Sequence, residues 1–256
     1  MVVKPIKTQP VLADSISIYE LLDAALADLH ERNIVAITSK IISLCENRTI
    51  PISQIDKKQL IHQEADLYYS PEPQKDDYRY HFTIVNNTLV PASGIDESNG
   101  NGDYVLWPED PQKSANQIRH YLMEHFHLKE IGVVITDSTI FPSRWGTLGM
   151  AIGYSGFSPV KNYIGLPDLF GRPLKVSKAN IAGGLAASAV LVMGEGSEQT
   201  PIALFEDVPF VDFYSNDPSL EEIEMYYVSP LKDEPFAPLF NSADWLPGNK
   251  NKVRKR

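Results

Sequence analysis

Cysteine is nearly absent: Cys45 is the only one in 256 residues. No internal disulfide and no Cys-rich zinc site can form. Long apolar runs are missing as well. The longest small-and-apolar stretch, residues 181–194, is shorter than the roughly 20 residues of a bilayer span and is interrupted by Gly, Ala and Ser. Residues 1–14 lack a basic stretch followed by an apolar one, so no secretory signal is expected and a cytoplasmic location is the default. The sequons at Asn47 and Asn86 then carry no meaning. Positive charge is scarce: 23 Lys and Arg stand against 33 Asp and Glu, a net charge of −10. Such a surface repels phosphate backbones and argues against nucleic-acid binding. Repeats are absent, which excludes solenoids. Gly194-Glu195-Gly196 lacks the Gly-Lys-Ser/Thr of a Walker A loop, and no Rossmann glycine fingerprint follows a strand.

What remains is ordinary globular composition, 43% hydrophobic and 22% charged, in a chain long enough to bury a substantial core. Ser17 and Glu20 have capping-box spacing ahead of a helical stripe, Ile18, Leu21, Leu22, Ala25, Leu26 and Leu29. Residues 34–38 form a β-branched run that predicts a strand, with Ser39-Lys40 where it ends. A helix is expected around residues 58–66, then a polar, proline-containing loop over 70–78. Asn86-Asn87 between residues 81–85 and 88–90 predicts a hairpin. Asp110 and Pro111 open another helix, and residues 131–136 read as a buried strand ending at Asp137. Residues 179–193 predict a small-residue helix stopped by Gly194, and residues 202–205 one more strand. Strands and helices mix without a βαβ rhythm, which predicts an α+β fold. Lys250, Lys252, Arg254, Lys255 and Arg256 form a basic tail, read as a solvated end.

The strongest local chemical signal is Asp137-Ser138. A carboxylate and a hydroxyl at a strand end are hard oxygen donors of the kind Mg²⁺ or Mn²⁺ prefers, although an aspartate there also serves as a turn former. Asp96 and Asn99 sit in a Gly/Asn-rich loop, and Glu195 follows Gly194 directly. His120, His125 and His127 match no zinc motif and read as helix-surface residues. Cys45 has no identifiable base and reads as a structural thiol. Spacing alone reaches a candidate metal site and stops there.

A series of segments, in order, carries a further signal. They are Ser39-Lys40-Ile41-Ile42-Ser43 with Glu46 and Arg48, then residues 93–99, then Asp110-Pro111 with Ser114-Ala115 and Ile118-Arg119. Thr136-Asp137-Ser138, Arg144, Gly146, Ala151-Ile152-Gly153, Gly165, Asp168 and Gly171-Arg172 follow, and the last is residues 191–195 with Pro201. In this order the segments resemble the F420-0:γ-glutamyl ligase family, a resemblance that covers most of residues 1–207, read as the catalytic region, with two lobes an open alternative. Residues 208–256 are then a C-terminal extension. It implies an intertwined α+β homodimer that uses GTP and about two Mg²⁺ or Mn²⁺ ions to join a carboxylate to the amine of L-glutamate. Carried over by position, Asp96, Asp137, Ser138 and Glu195 would hold metal. Pro10, Val11, Ser39, Lys40, Asn99, Met193, Gly194 and Gly196 would lie near the nucleotide, and Lys40, Arg144 and Arg172 would stabilise phosphate or carboxylate charge.

Departures bear on the acceptor. Leu44 stands where the family usually has lysine. Residues 140–144, Ile-Phe-Pro-Ser-Arg, replace Gly-Arg-Pro-Trp-Arg, and Gly183-Gly184 replace an Asp-Glu pair. Fewer cations suit a less anionic acceptor than F420-0, such as a folate, which lacks the phosphodiester. Leu44 and Phe141 also fit a nucleotide-binding module that has lost part of its site, and clustered acids alone would serve a metal-dependent phosphoesterase.

Overall fold

The structure, a computed structural model, describes residues 1–69, 81–226 and 235–249. The expected loop over 70–78 and the basic tail lie outside the described residues. The chain runs β1 (Val2–Ile6), α1 (Ile18–Ala25), β2 (Ile34–Thr38), α2 (Ser39–Cys45), β3 (Thr49–Pro51), α3 (Lys57–Glu64) and β4 (Leu67–Tyr69). It continues through β5 (Phe82–Val85), β6 (Thr88–Pro91), β7 (Asp103–Val105), α4 (Pro111–His125), β8 (Gly132–Ile140) and β9 (Thr147–Ser155). Then come β10 (Val160–Asn162), β11 (Lys178–Asn180), α5 (Ile181–Met193), β12 (Ile202–Glu206), α6 (Leu220–Tyr226), α7 (Ala237–Phe240) and β13 (Leu246–Pro247).

Ile34, Val35, Ala36 and Ile37 are all buried, the signature of a strand covered on both faces. β2 is the middle strand of a five-stranded mixed sheet of order β1-β12-β2-β8-β9, in which only β2 and β8 are parallel. One face packs Val35, Ile37, Val133 and Ile135 against Leu22, Ile42, Ile118 and Leu122 of α1, α2 and α4. The opposite face packs Ile34, Ala36, Val134 and Ala203 against Ala182, Leu185, Ala186 and Ala189 of α5, whose small side chains let helix and sheet approach closely. A second, antiparallel sheet has order β13-β4-β5-β6. The mixed arrangement is the α+β fold expected from the sequence.

Local expectations hold where side chains decide the geometry. Ser17 and Glu20 close a reciprocal capping box, Asp110 accepts from the Lys113 amide ahead of α4, and Asn86 and Asn87 both take positive φ in the β5–β6 turn. Three expectations need correction. Helix α1 ends at Ala25, with Leu26 and Leu29 buried beyond it. The strand expected to stop before Asp137 runs on to Ile140, because β9 pairs with it along that length. Strand β9 itself was not expected. Its glycines mask the pattern, yet they are required: a Cβ at Gly149 would overlap the Ala186 carbonyl of α5, and one at Gly153 the Pro111 carbonyl of α4.

Beyond residue 207 the chain folds back onto the main sheet. Val208 and Val211 join the core beside α5. Arg119 of α4, 0% exposed, is held by Asp217 Oδ1 at 3.1 Å and by the Tyr214 and Ser215 carbonyls.

Candidate functional site

A cavity of about 590 Å³ opens at the C-terminal edge of β2 and β8, within the size range of small-molecule sites. β2 stops at Thr38, opposite Thr136, while β8 continues beside β9. Asp137 and Ser138 thus lie inside a strand yet past the edge of its parallel neighbour. The rest of the wall comes from the start of α2 (Ser39, Lys40), the loop between β6 and β7 (Asp96, Asn99), the turn after α5 (Met193, Gly194, Glu195, Gly196) and the N-terminal segment (Pro10, Val11). Twelve of the residues singled out from the sequence share this cavity. Arg144 and Arg172 do not line it. Arg144 lies on the exposed β8–β9 turn, donating to the adjacent Ser143 carbonyl, and Arg172 lies in an exposed turn whose backbone is capped by Asp168.

Two carboxylates differ sharply in their surroundings. Lys40 Nζ approaches Asp96 Oδ2 at 2.6 Å, and the Ser98 hydroxyl and amide donate to the same carboxylate at 2.9 and 2.8 Å. Burial pushes Asp96 up, but the ammonium and the Ser98 hydrogen bonds outweigh it and hold the carboxyl below its ordinary value. No ammonium is paired with Asp137. Burial pushes its carboxyl up to about 6, with the charge of Asp96 adding to the rise, against the opposing pull of the Trp107 indole N–H, the Ser138 amide and the more distant Lys40. Glu195 accepts from the Ser138 hydroxyl at 2.8 Å and from the Thr147 hydroxyl at 3.0 Å. Asn99 Nδ2 donates to the Gly196 carbonyl at 3.1 Å, tying one wall to the other. Ser98 entered the sequence reading only as part of the 93–99 segment, and Thr147 and Trp107 were not singled out, since nothing in their spacing distinguishes them.

The donor set fits a divalent cation in kind, being carboxylates and a hydroxyl around one cavity. A buried carboxylate held at about 6 gains from a nearby positive charge, and Lys40 already marks such a place beside Asp96. Among the described residues no three His, Cys, Asp or Glu side chains gather tightly enough to grip an ion unaided. Cys45 is half-buried, and burial pushes its thiol up to about 11, away from nucleophilic use. His120 and His125 pair with Asp217 and Asp23, away from the cavity lining. No helix among the described residues is long and apolar enough to cross a membrane.

An α+β fold with an acid-lined cavity at the edge of a mixed sheet defines a class of small-molecule-binding protein. Comparison with known proteins narrows this: the chain belongs to the F420-0:gamma-glutamyl ligase family, whose profile matches residues 6–207. It is similar to the coenzyme F420:L-glutamate ligase of Methanopyrus kandleri, 31% identical over 222 residues covering 79% of this chain and 85% of that enzyme. It is also similar to the enzyme of that name from Halorubrum lacusprofundi, 29% identical over 238 residues covering 86% and 92% of the two chains.

Proposed function

We propose that the protein is a γ-glutamyl ligase that uses GTP to activate a substrate carboxylate and joins it to the amine of L-glutamate. One observation carries this reading. Asp96, Asp137 with Ser138, and Glu195, from three distant stretches of chain, meet in one cavity with Lys40. A carboxylate does not react with an amine at neutral pH, because its leaving group would be oxide. Transfer of the γ-phosphoryl group onto it gives an acyl phosphate, from which the amine displaces phosphate. Mg²⁺ or Mn²⁺ held by Asp96, Asp137, Ser138 and Glu195 would supply positive charge against the phosphates. Lys40 supplies a further cation, Thr147 and Ser138 hold Glu195 in place, and the Asn99–Gly196 bond ties two walls of the cavity together.

The test is phosphate release from GTP with acceptor and L-glutamate varied separately. Release that requires both supports the ligase. Release indifferent to glutamate indicates a phosphoesterase, and GTP binding without release a nucleotide-binding module.

A second acceptor, a folate, is favoured by the cavity wall. Lys40 is its sole Lys or Arg among the described residues, and Leu44, where the family usually has lysine, is buried in it. Steady-state assays with both acceptors decide between them, and turnover of F420-0 with none of folate removes the second.

The active form is a homodimer. Phe141, Trp145, Leu169, Phe170, Val176 and Leu191 stand exposed on the β8–β9 turn, the segment between β10 and β11, and the outer face of α5. Apolar exposure of this kind supports a surface covered by a second copy. Arg144 and Arg172 sit on these same segments, which ties their role toward phosphate or carboxylate to the dimer. Sedimentation at micromolar concentration reads the state, and a monomer that turns over at full rate refutes it.

A further inference from the structure

The Trp107 indole stands 2.5 Å from Asp137 Oδ2, where it donates its Nε1–H. Trp107 lies in the link between β7 and α4, 5% exposed, packed against Val85, Val90, Met150 and Ile152. Three constraints fix the ring. Its main-chain carbonyl accepts from Arg48 Nε at 3.3 Å, and Arg48 is itself paired with Glu64 at 2.8 Å. Apolar side chains from β5, β6 and β9 grip its face. Its N–H edge fills the space a side chain at Gly94 would need, since a Cβ there would overlap Nε1, Cε2 and Cδ1. Gly94 also has φ +69°, a conformation that suits glycine, so both backbone and ring depend on that residue.

We propose that Trp107 is the positioning residue of Asp137, fixing one carboxylate oxygen so that the other is presented to the cavity. The proposal rests on the reading above, in which Asp137 is a metal ligand. Trp107 is the only side chain among the described residues that donates to this carboxylate. The choice of donor matters. Lysine or arginine in its place would orient the carboxylate equally well but would add a second fixed cation beside Lys40, leaving less negative charge in the cavity for an ion. An indole N–H is uncharged and sits on a ring with two rotatable bonds, so it fixes direction while the full negative charge remains available.

The experiment separates the N–H from the packing. Trp107 is replaced by phenylalanine and, separately, by 3-benzothienylalanine, a tryptophan isostere with sulphur in place of the N–H group. Asp137→Asn is made alongside as the reference. Free Mn²⁺ is measured by electron paramagnetic resonance during titration, ligase activity against Mn²⁺ concentration, and stability by thermal melting. The isostere is expected to melt like wild type yet to raise the Mn²⁺ dissociation constant by about 10–100-fold, the usual effect of removing a partner of a metal ligand. Asp137→Asn alone is expected to abolish Mn²⁺ binding, which sets the limit against which the partial loss in the isostere is read. An isostere that binds Mn²⁺ like wild type, while Asp137→Asn abolishes binding, overturns the positioning role and leaves the ligase reading intact. Wild-type protein that binds no Mn²⁺ and makes no amide overturns both.

Discussion

Asp96 and Asp137 face the same cavity and are both desolvated, yet their carboxyl groups move in opposite directions. Asp96 has an ammonium at 2.6 Å and stays below its ordinary value. Asp137 has hydrogen-bond donors of which none is charged, and rises to about 6. A neutral N–H offsets only part of the loss of water around a carboxylate, whereas a full positive charge more than offsets it. The first aspartate is compensated within the chain; the second is compensated only in part.

The sharpest way to break that comparison is Asp137→Asn, expected to lower amide formation more than about 100-fold, since an amide is a poor ligand for a hard cation. Initial rates at saturating acceptor, GTP and glutamate read this, and a variant keeping most of its metal-dependent rate would remove Asp137 from its role. Next in size is stabilisation by metal. Mn²⁺ at 100 times its dissociation constant should stabilise wild type by about 2.7 kcal/mol, seen as a higher melting temperature, and should leave Asp137→Asn unmoved.

Without metal the sign reverses. The Asp137 carboxyl titrates near 6 when folded and near 3.8 when unfolded, so the folded chain binds that proton more tightly. Its contribution to stability is full below pH 4, declines through pH 6, and at pH 8 the ionised group destabilises the fold. Asp137→Asn is therefore expected to be more stable than wild type at pH 8, by about 1–3 kcal/mol, and no more stable at pH 4, as denaturant melts at the two values will show. Asp96→Asn should do the opposite. Its carboxyl is lowered by a half-exposed ion pair, so the stabilisation is present above about pH 4 and is lost as pH falls further. Its removal is expected to destabilise by at most about 1 kcal/mol at pH 7. Equal shifts of one sign in both variants would show that the two aspartates do not differ in kind.

The sequence displays what is local and conceals what depends on neighbours. The capping box at Ser17, the cap at Asp110 and the Asn86-Asn87 turn are legible because each geometry is set within four residues. The periodic burial of α4 and the apolar run of β2 are legible because a hydrophobic face must find cover. Strand β9 is not, since its glycines are dictated by two helix backbones far away in sequence. Within the cavity, Asp96, Asp137 and Glu195 were found as acids in strand-end or loop positions, but their meeting was legible only through resemblance to a family. Trp107 left no trace at all, as its chemistry consists of reaching a residue 30 positions further along the chain.

The family profile ends at residue 207, but the mechanical unit does not. A fully buried guanidinium in α4 has its counter-ion at Asp217 and two of its acceptors at Tyr214 and Ser215. Cutting the chain at the family boundary would remove that cation's counter-ion and both carbonyl acceptors at once. The appendage thus acts as a keystone: the segment from Tyr214 to Asp217 locks the middle of α4 to the later part of the chain.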